Sequence, residues 1–480
     1  RDCDGEIDAL SKWDANLAYY ANTSSGDGYF GMCMIGLEDY DGDGTLDIGG
    51  CGPFSGTADS GDTGGTGDSG ETGDTGGTGS EAEHGWFHVL LTGAEDGIPA
   101  EVAYTTVIGD SYSWLSWDAA PMGDMNGDGY VEIALGAPLA NDYEGVTLLF
   151  SGADLQAGGQ LSPEDAIASA SGLTYIGFDV ANAGDIDQDG VDDLVSGGGS
   201  ADYGTDQSMA VWSGGLLLLA GEAGMIQSDS LALIVGEGAA GETVGGADFD
   251  ADGIPDLIVA DDTVEVDAHG AVTLNDGLVA IIPGADIAAG GILTISDYPL
   301  LLGDTGEGLG IHSAWLTDVD GDGLNDLVTS APGAEGSASL GGAVYVLSAT
   351  DVFTAGTAAE LAITTINGTT DDGSLVVAGD GGGDLNGDGN EDLIVTHMGI
   401  MTAVSGTAHS IDGVDLTAGG SIDATAGFAS FSGASSGDNL GRGTAILDVD
   451  ANGTADVVLG APGNNDVGVG FLFLSFLSDS

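Results

Sequence analysis

The chain has 480 residues, with 79 Asp and Glu against 3 Lys and Arg, and a formal net charge of −76. Nucleic acid and anionic membrane surfaces are excluded as partners, because both are bound by clustered basic side chains. With 42% hydrophobic residues the chain still buries a core, and bound cations are the natural means of offsetting its self-repulsion.

In chain order, residues 1–16 read as an N-terminal arm. Arg1 to Asp4 carry no apolar leader, as in a processed or a cytosolic chain. Residues 17–21 read as a strand, and Phe30-Gly31 then leads into an acidic loop at 39–47. Cys33 and Cys51 flank that loop on its two paired strands, which places them near each other as a disulfide; Cys3 is the competing partner. Residues 55–83 are Gly, Thr, Ser and Asp with no large apolar residue, so they form no core. They read as a long insertion inside the first repeat, because the strand at 86–91 belongs to the same unit. No apolar run reaches the ~18 residues of a membrane helix, so no membrane insertion is expected.

The acidic loop recurs seven times as D-x-[DN]-x-[DN]-G-x-x-[DE], with starts 85, 61, 63, 70, 66 and 64 residues apart. Spacing this even over a whole chain is the mark of a repeat architecture. Positions 1, 3 and 5 offer side-chain oxygens, Gly at position 6 permits the sharp turn, position 7 offers its carbonyl and position 9 returns a carboxylate. The candidate ligands of the first loop are Asp39, Asp41, Asp43, Thr45 and Asp47. The second loop offers Asp124, Asn126, Asp128, Tyr130 and Glu132, and the third Asp185, Asp187, Asp189, Val191 and Asp193. The fourth offers Asp248, Asp250, Asp252, Ile254 and Asp256, and the fifth Asp318, Asp320, Asp322, Leu324 and Asp326. The sixth offers Asp384, Asn386, Asp388, Asn390 and Asp392, and the seventh Asp448, Asp450, Asn452, Thr454 and Asp456. An all-oxygen set of this kind suits Ca²⁺, up to seven ions in all. Position 12 is never a side-chain ligand, and short apolar, β-branched runs follow the loops, as at 46–50, 256–260 and 456–460, so the loop joins two strands rather than two helices.

Each unit continues with a Gly-rich turn, a third strand ending near Ser-Gly or Pro-Gly, and a less regular fourth strand. Four strands per ~65 residues, repeated seven times, is the pattern of a β-propeller. The units resemble FG-GAP repeats of the integrin α-subunit propeller and its bacterial relatives. Phe30-Gly31, Ile176-Gly177, Leu309-Gly310 and Leu440-Gly441 stand at the FG position; Gly136-Ala-Pro138, Ser330-Ala-Pro332 and Gly460-Ala-Pro462 stand at the GAP position. The resemblance implies calcium on one face of the disc and partners on the other.

The expected fold is thus all-β: one seven-bladed propeller over residues 1–480, of four-stranded antiparallel blades, closed by the strand at 17–21 pairing with the last blade. The six histidines are scattered, and no catalytic constellation, phosphate loop or dinucleotide fingerprint is present. Trp114 and Trp117 read either as blade packing or as a sugar-stacking surface. Disulfide and calcium loops point to a secreted or cell-surface, non-enzymatic recognition module with a protein or glycan ligand, or to a self-assembling subunit. A polysaccharide-acting enzyme and a calcium-buffering matrix protein are the alternatives.

Overall fold

The computed structural model describes residues 10–11, 17–20, 29–53, 84–92, 103–110, 113–198, 208–221, 224–236, 240–261, 264–266, 272–274, 276–371, 373–379, 381–397, 405–433, 435, 437–463 and 468–473. The insertion expected at 55–83 lies outside them, as does most of the expected arm.

The described residues form seven blade sheets and one two-stranded ribbon, Val264–Val266 with Val272–Leu274. Blade two shows the plan: Ala119–Pro121, Ile133–Ala137, Val146–Phe150 and Ala168–Ser171 run antiparallel in sequence order. Burial grades outward along each sheet. In blade two the second strand is buried at every residue, which is why it reads as the continuous run Ile-Ala-Leu-Gly-Ala. The fourth strand alternates buried and half-buried residues in Ala168–Ser171, Ala232–Val235, Thr364–Asn367 and Ala429–Ser432, as an outer strand with one covered face should.

The core lies between blades rather than within them. Phe87 and Val107 of blade one pack with Leu135 and Phe150 of blade two. Equivalent apolar layers fill each following seam, and the last joins Val458 and Leu472 of blade seven to Phe30 and Ile48 of blade one. The ring is therefore held by packing across seven seams.

This corrects the expectation of four-stranded blades closed by the N-terminal strand. Six of the seven blade sheets have five strands, and no sheet is closed by hydrogen bonds. The fifth strand comes from the following blade. After its third strand, blade two forms the helix Gly152–Gln156, then sends Gly159–Leu161 to pair parallel with Thr105–Ile108 of blade one. Met225–Ile226, Gly291–Thr294, Gly356–Thr357 and Gly420–Asp423 serve blades two to five in the same way. Leu10–Ser11 pairs parallel with Phe431 and Ser432 of blade six, and Leu17–Tyr20 pairs antiparallel with Val469–Phe473 in the four-stranded seventh sheet. These added strands are two to four residues long, too short to show a period of two in sequence.

Candidate metal centres

Each acidic loop joins the first and second strands of a blade, at the end opposite the GAP turn. Its shape is made by its own carboxylates. In loop one, Asp39 Oδ2 accepts from Gly44 N–H at 2.8 Å, Asp41 Oδ1 from Asp43 N–H at 2.9 Å, and Asp43 Oδ1 from Thr45 N–H at 2.9 Å. The same three bonds recur in loop three at 3.0 Å each, from Gly190, Asp189 and Val191. Gly44 and Gly190 have φ of 96° and 95°, in the left-handed region that a β-carbon disfavours.

The turn brings side-chain oxygens to one point. Within each of five groups the candidate atoms lie within 4.8 Å of one another: Asp39, Asp41 and Asp43; Asp185, Asp187 and Asp189; Asp248, Asp250 and Asp256; Asp318, Asp320 and Asp322; Asp448, Asp450 and Asp456. Loops two and six bring together no such carboxylate triple, because Asn126 and Asn386 stand at position 3. Their amides turn inward instead: Asn126 Nδ2 donates to Glu132 Oε1 at 2.7 Å and Asn386 Nδ2 to Asp392 Oδ1 at 3.3 Å.

A cation fits these loops on independent grounds. Asp185 Oδ1, Asp248 Oδ1 and Asp318 Oδ1 are buried and accept no hydrogen bond. A buried carboxylate oxygen without a partner is costly, and a divalent ion is the partner this donor set suits. Calcium at such a loop would supply positive charge for three to five converging oxygens.

Position 9 has a second role that the spacing alone does not reveal. Asp47, Glu132, Asp193, Asp256, Asp326, Asp392 and Asp456 are all essentially inaccessible to solvent. Asp193 Oδ2 accepts from Ile186 N–H at 3.0 Å and Asp187 N–H at 3.3 Å, while its Oδ1 accepts from Gly214 N–H at 2.9 Å. Asp256 similarly joins Phe249 N–H and Gly284 N–H, and Asp392 joins Leu385 N–H and Gly413 N–H. The carboxylate thus ties the loop to the second residue after the third strand. This explains the Ser-Gly and Pro-Gly endings: a β-carbon on Gly214 would lie 2.0 Å from Asp192 O, and one on Gly284 2.1 Å from Pro255 O. Burial pushes these acids up, against the backbone N–H groups that pull them down: Asp47, Asp256 and Asp326 to about 6, Asp193 and Asp392 to about 7.

Neighbouring loops are linked to each other. Leu46 N–H of loop one donates to Val449 O of loop seven at 2.9 Å, and Ala455 N–H of loop seven to Asp384 O of loop six at 2.8 Å. Tyr40 Oη donates to Val131 O, which joins loops one and two at 2.9 Å. Ordering one loop therefore bears directly on the next seam.

At the other end, glycines bring blades into contact. Gly177 N–H donates to Gly197 O of its own blade at 3.0 Å, while a β-carbon on Gly136 of the preceding blade would lie 2.0 Å from Gly177 O. Gly31 and Gly460 meet in the same way, 2.1 Å from such a β-carbon, at the seam between blades one and seven. Residues 116–150 and 312–347 match the family model described as FG-GAP repeat. These two stretches are similar to FG-GAP repeats. In the first of these matches the GAP-position Gly136 meets the FG-position Gly177 of the next blade, so the motif is an interblade lock. FG-GAP propeller domains are generally non-catalytic adhesion or structural modules. No curated protein matches the chain.

Cys33 and Cys51 are joined as a disulfide, with Cα atoms 5.1 Å apart. Among the described residues, no helix is long and apolar enough to cross a membrane. Of the histidines, His397 and His409 meet edge-on at 5.7 Å within blade six, a pairing that their separation in sequence hides. Burial lowers His88 and His409 to about 4 and His312 to about 3, so they stay neutral near pH 7.

Proposed function

We propose that the chain is an extracellular, calcium-stabilised FG-GAP propeller that acts as an adhesion or recognition module. The observation that carries this reading is the convergence of carboxylates in the acidic loops together with the buried, unpartnered oxygens of Asp185, Asp248 and Asp318. The ions, up to seven, take positions 1, 3, 5, 7 and 9 of each loop as ligands. They sit at one end of the blades and pin the links between neighbouring loops. The opposite, GAP-turn face is then the one offered to a partner. A Cys33–Cys51 disulfide suits an oxidising compartment.

A structural subunit of an extracellular assembly is the second reading. The outer fifth strands favour it, because Ile226 and Ile292 on them are 54% and 71% exposed. Calcium titration of the chelated chain, followed by electron microscopy, tests the proposal. Saturable uptake at several sites and isolated discs that lose their outline in chelator are expected. Ordered fibres would favour the subunit reading. Discs that persist in chelator with no calcium uptake would overturn the calcium reading.

A further inference from the structure

Five aromatic rings form one run at the GAP-turn end of blades two and three. Trp114 and Trp117 stack with centroids 5.3 Å apart and planes 16° apart. Trp117 meets Phe178 edge-on at 5.1 Å, Phe178 meets Tyr175 at 6.0 Å, and Tyr175 meets Tyr143 at 6.0 Å. The backbone fixes them there: Trp117 N–H donates to Gly136 O at 3.3 Å, and Tyr175 N–H to Tyr143 O at 3.2 Å.

The conformation of these residues is unusual for their type. The residue before the FG position is left-handed in blade after blade, with φ of 69° at Tyr29, 53° at Trp114, 60° at Tyr175, 61° at Gly308, 48° at Ser374 and 52° at Asn439. Blades five to seven fill it with Gly, Ser or Asn, of which Gly and Asn tolerate that region best. Blades one to three fill it with a large aromatic. Tyr143 is left-handed as well, at 73°, directly after Asn141 and Asp142 at 56° and 59°. Bulky side chains held in this region cluster at ligand sites, where presentation rather than local stability sets the residue. Packing does not account for all of them, since Tyr29 is 47% and Tyr143 55% exposed.

Charge narrows the ligand. A chain at −76 repels uronates, sulfates and phosphates. A basic partner would be drawn to the whole acidic surface and has no need of this one place. What sets the place apart is a run of aromatic rings that ends in the exposed Tyr143, with Trp114 and Trp117 half-buried and with Asn141, Asp142 and Glu144 exposed beside Tyr143 as hydrogen-bond acceptors. Flat apolar faces edged with hydroxyl donors describe a neutral pyranose chain. We propose that the aromatic run of blades two and three binds a neutral oligosaccharide, with sugar faces on Trp114 and Tyr143. This names the ligand of the recognition face and rests on that reading.

The test titrates the calcium-loaded chain with neutral hexaoses of glucose, mannose, xylose and N-acetylglucosamine, following tryptophan fluorescence and heat. Saturable binding to at least one is expected. Tyr143→Ala and Trp114→Ala, each checked for an unchanged melt, should weaken it tenfold or more. Leu219→Ala, at a site 83% exposed on the helix Gly214–Ala220, should leave it unchanged. No binding to any hexaose, binding indifferent to both aromatic substitutions, or preference for a sulfated glycan or an arginine-rich peptide would overturn the assignment. If the chain still adheres to a cell surface while the hexaoses fail, only the glycan assignment falls. If it adheres to nothing, the recognition reading falls with it.

Discussion

Replacing Asp193 with Ala separates two roles of the buried position-9 carboxylate. If Asp193 only ligates an ion, its removal from the cation-free chain deletes a buried charge that burial has pushed up to about 7, and the chain gains stability. If it also ties the loop to the third strand, the substitution strips the acceptor from Ile186 N–H, Asp187 N–H and Gly214 N–H. Two of these bonds, to Ile186 and Gly214, are buried. An unpaired buried donor costs about 1–3 kcal/mol, so the loss is about 2–6 kcal/mol. At about 2.1 cal/mol/K per residue, a 480-residue chain has an unfolding entropy of roughly 1 kcal/mol/K. The expected fall in melting temperature in chelator is therefore about 2–6 °C. Differential scanning calorimetry in chelator measures it, and hydrogen exchange at 208–220 locates it. A melt equal to or higher than the parent's, with unchanged exchange at Gly214, would refute the brace.

The sign of the pH dependence should invert with calcium. The folded, cation-free chain holds Asp47, Asp193, Asp256, Asp326 and Asp392 at about 6 to 7, above the ordinary 3.8; the stability they contribute is complete below pH 3.8 and lost as pH rises through 6 to 7. Melting in chelator should thus rise between pH 7.5 and 5, while in millimolar calcium it should fall as protons compete with the ion; parallel trends would refute the linkage. Gly136→Ala places a β-carbon 2.0 Å from Gly177 O and should cost about 1–3 kcal/mol by forcing blades two and three apart, read as a lower melt with calcium present; an unchanged melt would refute the interblade lock. Asn126→Asp and Asn386→Asp should each add a carboxylate to loops two and six and tighten calcium binding there, read by titration of the variants against the parent; no change in affinity would show that position 3 does not ligate.

The loops were legible because their chemistry is local: an Asp, a Gly and a returning acid within nine residues leave a pattern in the chain itself. The second and third strands were legible for a related reason, since strands covered on both faces become apolar runs such as Val146–Phe150 and Leu278–Ile282. In blade six the third strand is Thr407–Ile411, although the residues just before it in sequence, Met401 to Val404, are the more apolar run. Thr-Ala-His-Ser-Ile is less apolar than the segment before it, because His409 finds Ser430 Oγ at 2.7 Å only once the sheet exists. The fifth strands left no period, but they did leave punctuation. Ala157-Gly-Gly159, Ala289-Gly-Gly291 and Ala418-Gly-Gly420 each end a helix and open the strand that crosses to the preceding blade. Gly290 and Gly291 have φ of 76° and 109°, a turn that only paired glycines make cheaply. The dual role of Asp193 was hidden because its partner, Gly214, lies beyond the hairpin and is named by no spacing rule.

The borrowed strands give the ring a direction in time. A ribosome delivers blade one before the segment that finishes its outer edge, since Gly159–Leu161 emerges only after the third strand of blade two. Every blade from one to five waits in this way for its successor. Blades six and seven reverse the order, because Leu10–Ser11 and Leu17–Tyr20 are made first and find their partners, Phe431 and Val469–Phe473, more than 400 residues later. During synthesis the growing chain carries one unfinished edge at its advancing end and one orphaned segment at its start. Loop-closure entropy rises only slowly with length, so the cost of that delay is exposure rather than free energy: an incomplete sheet edge must be kept from other copies until the last blade arrives.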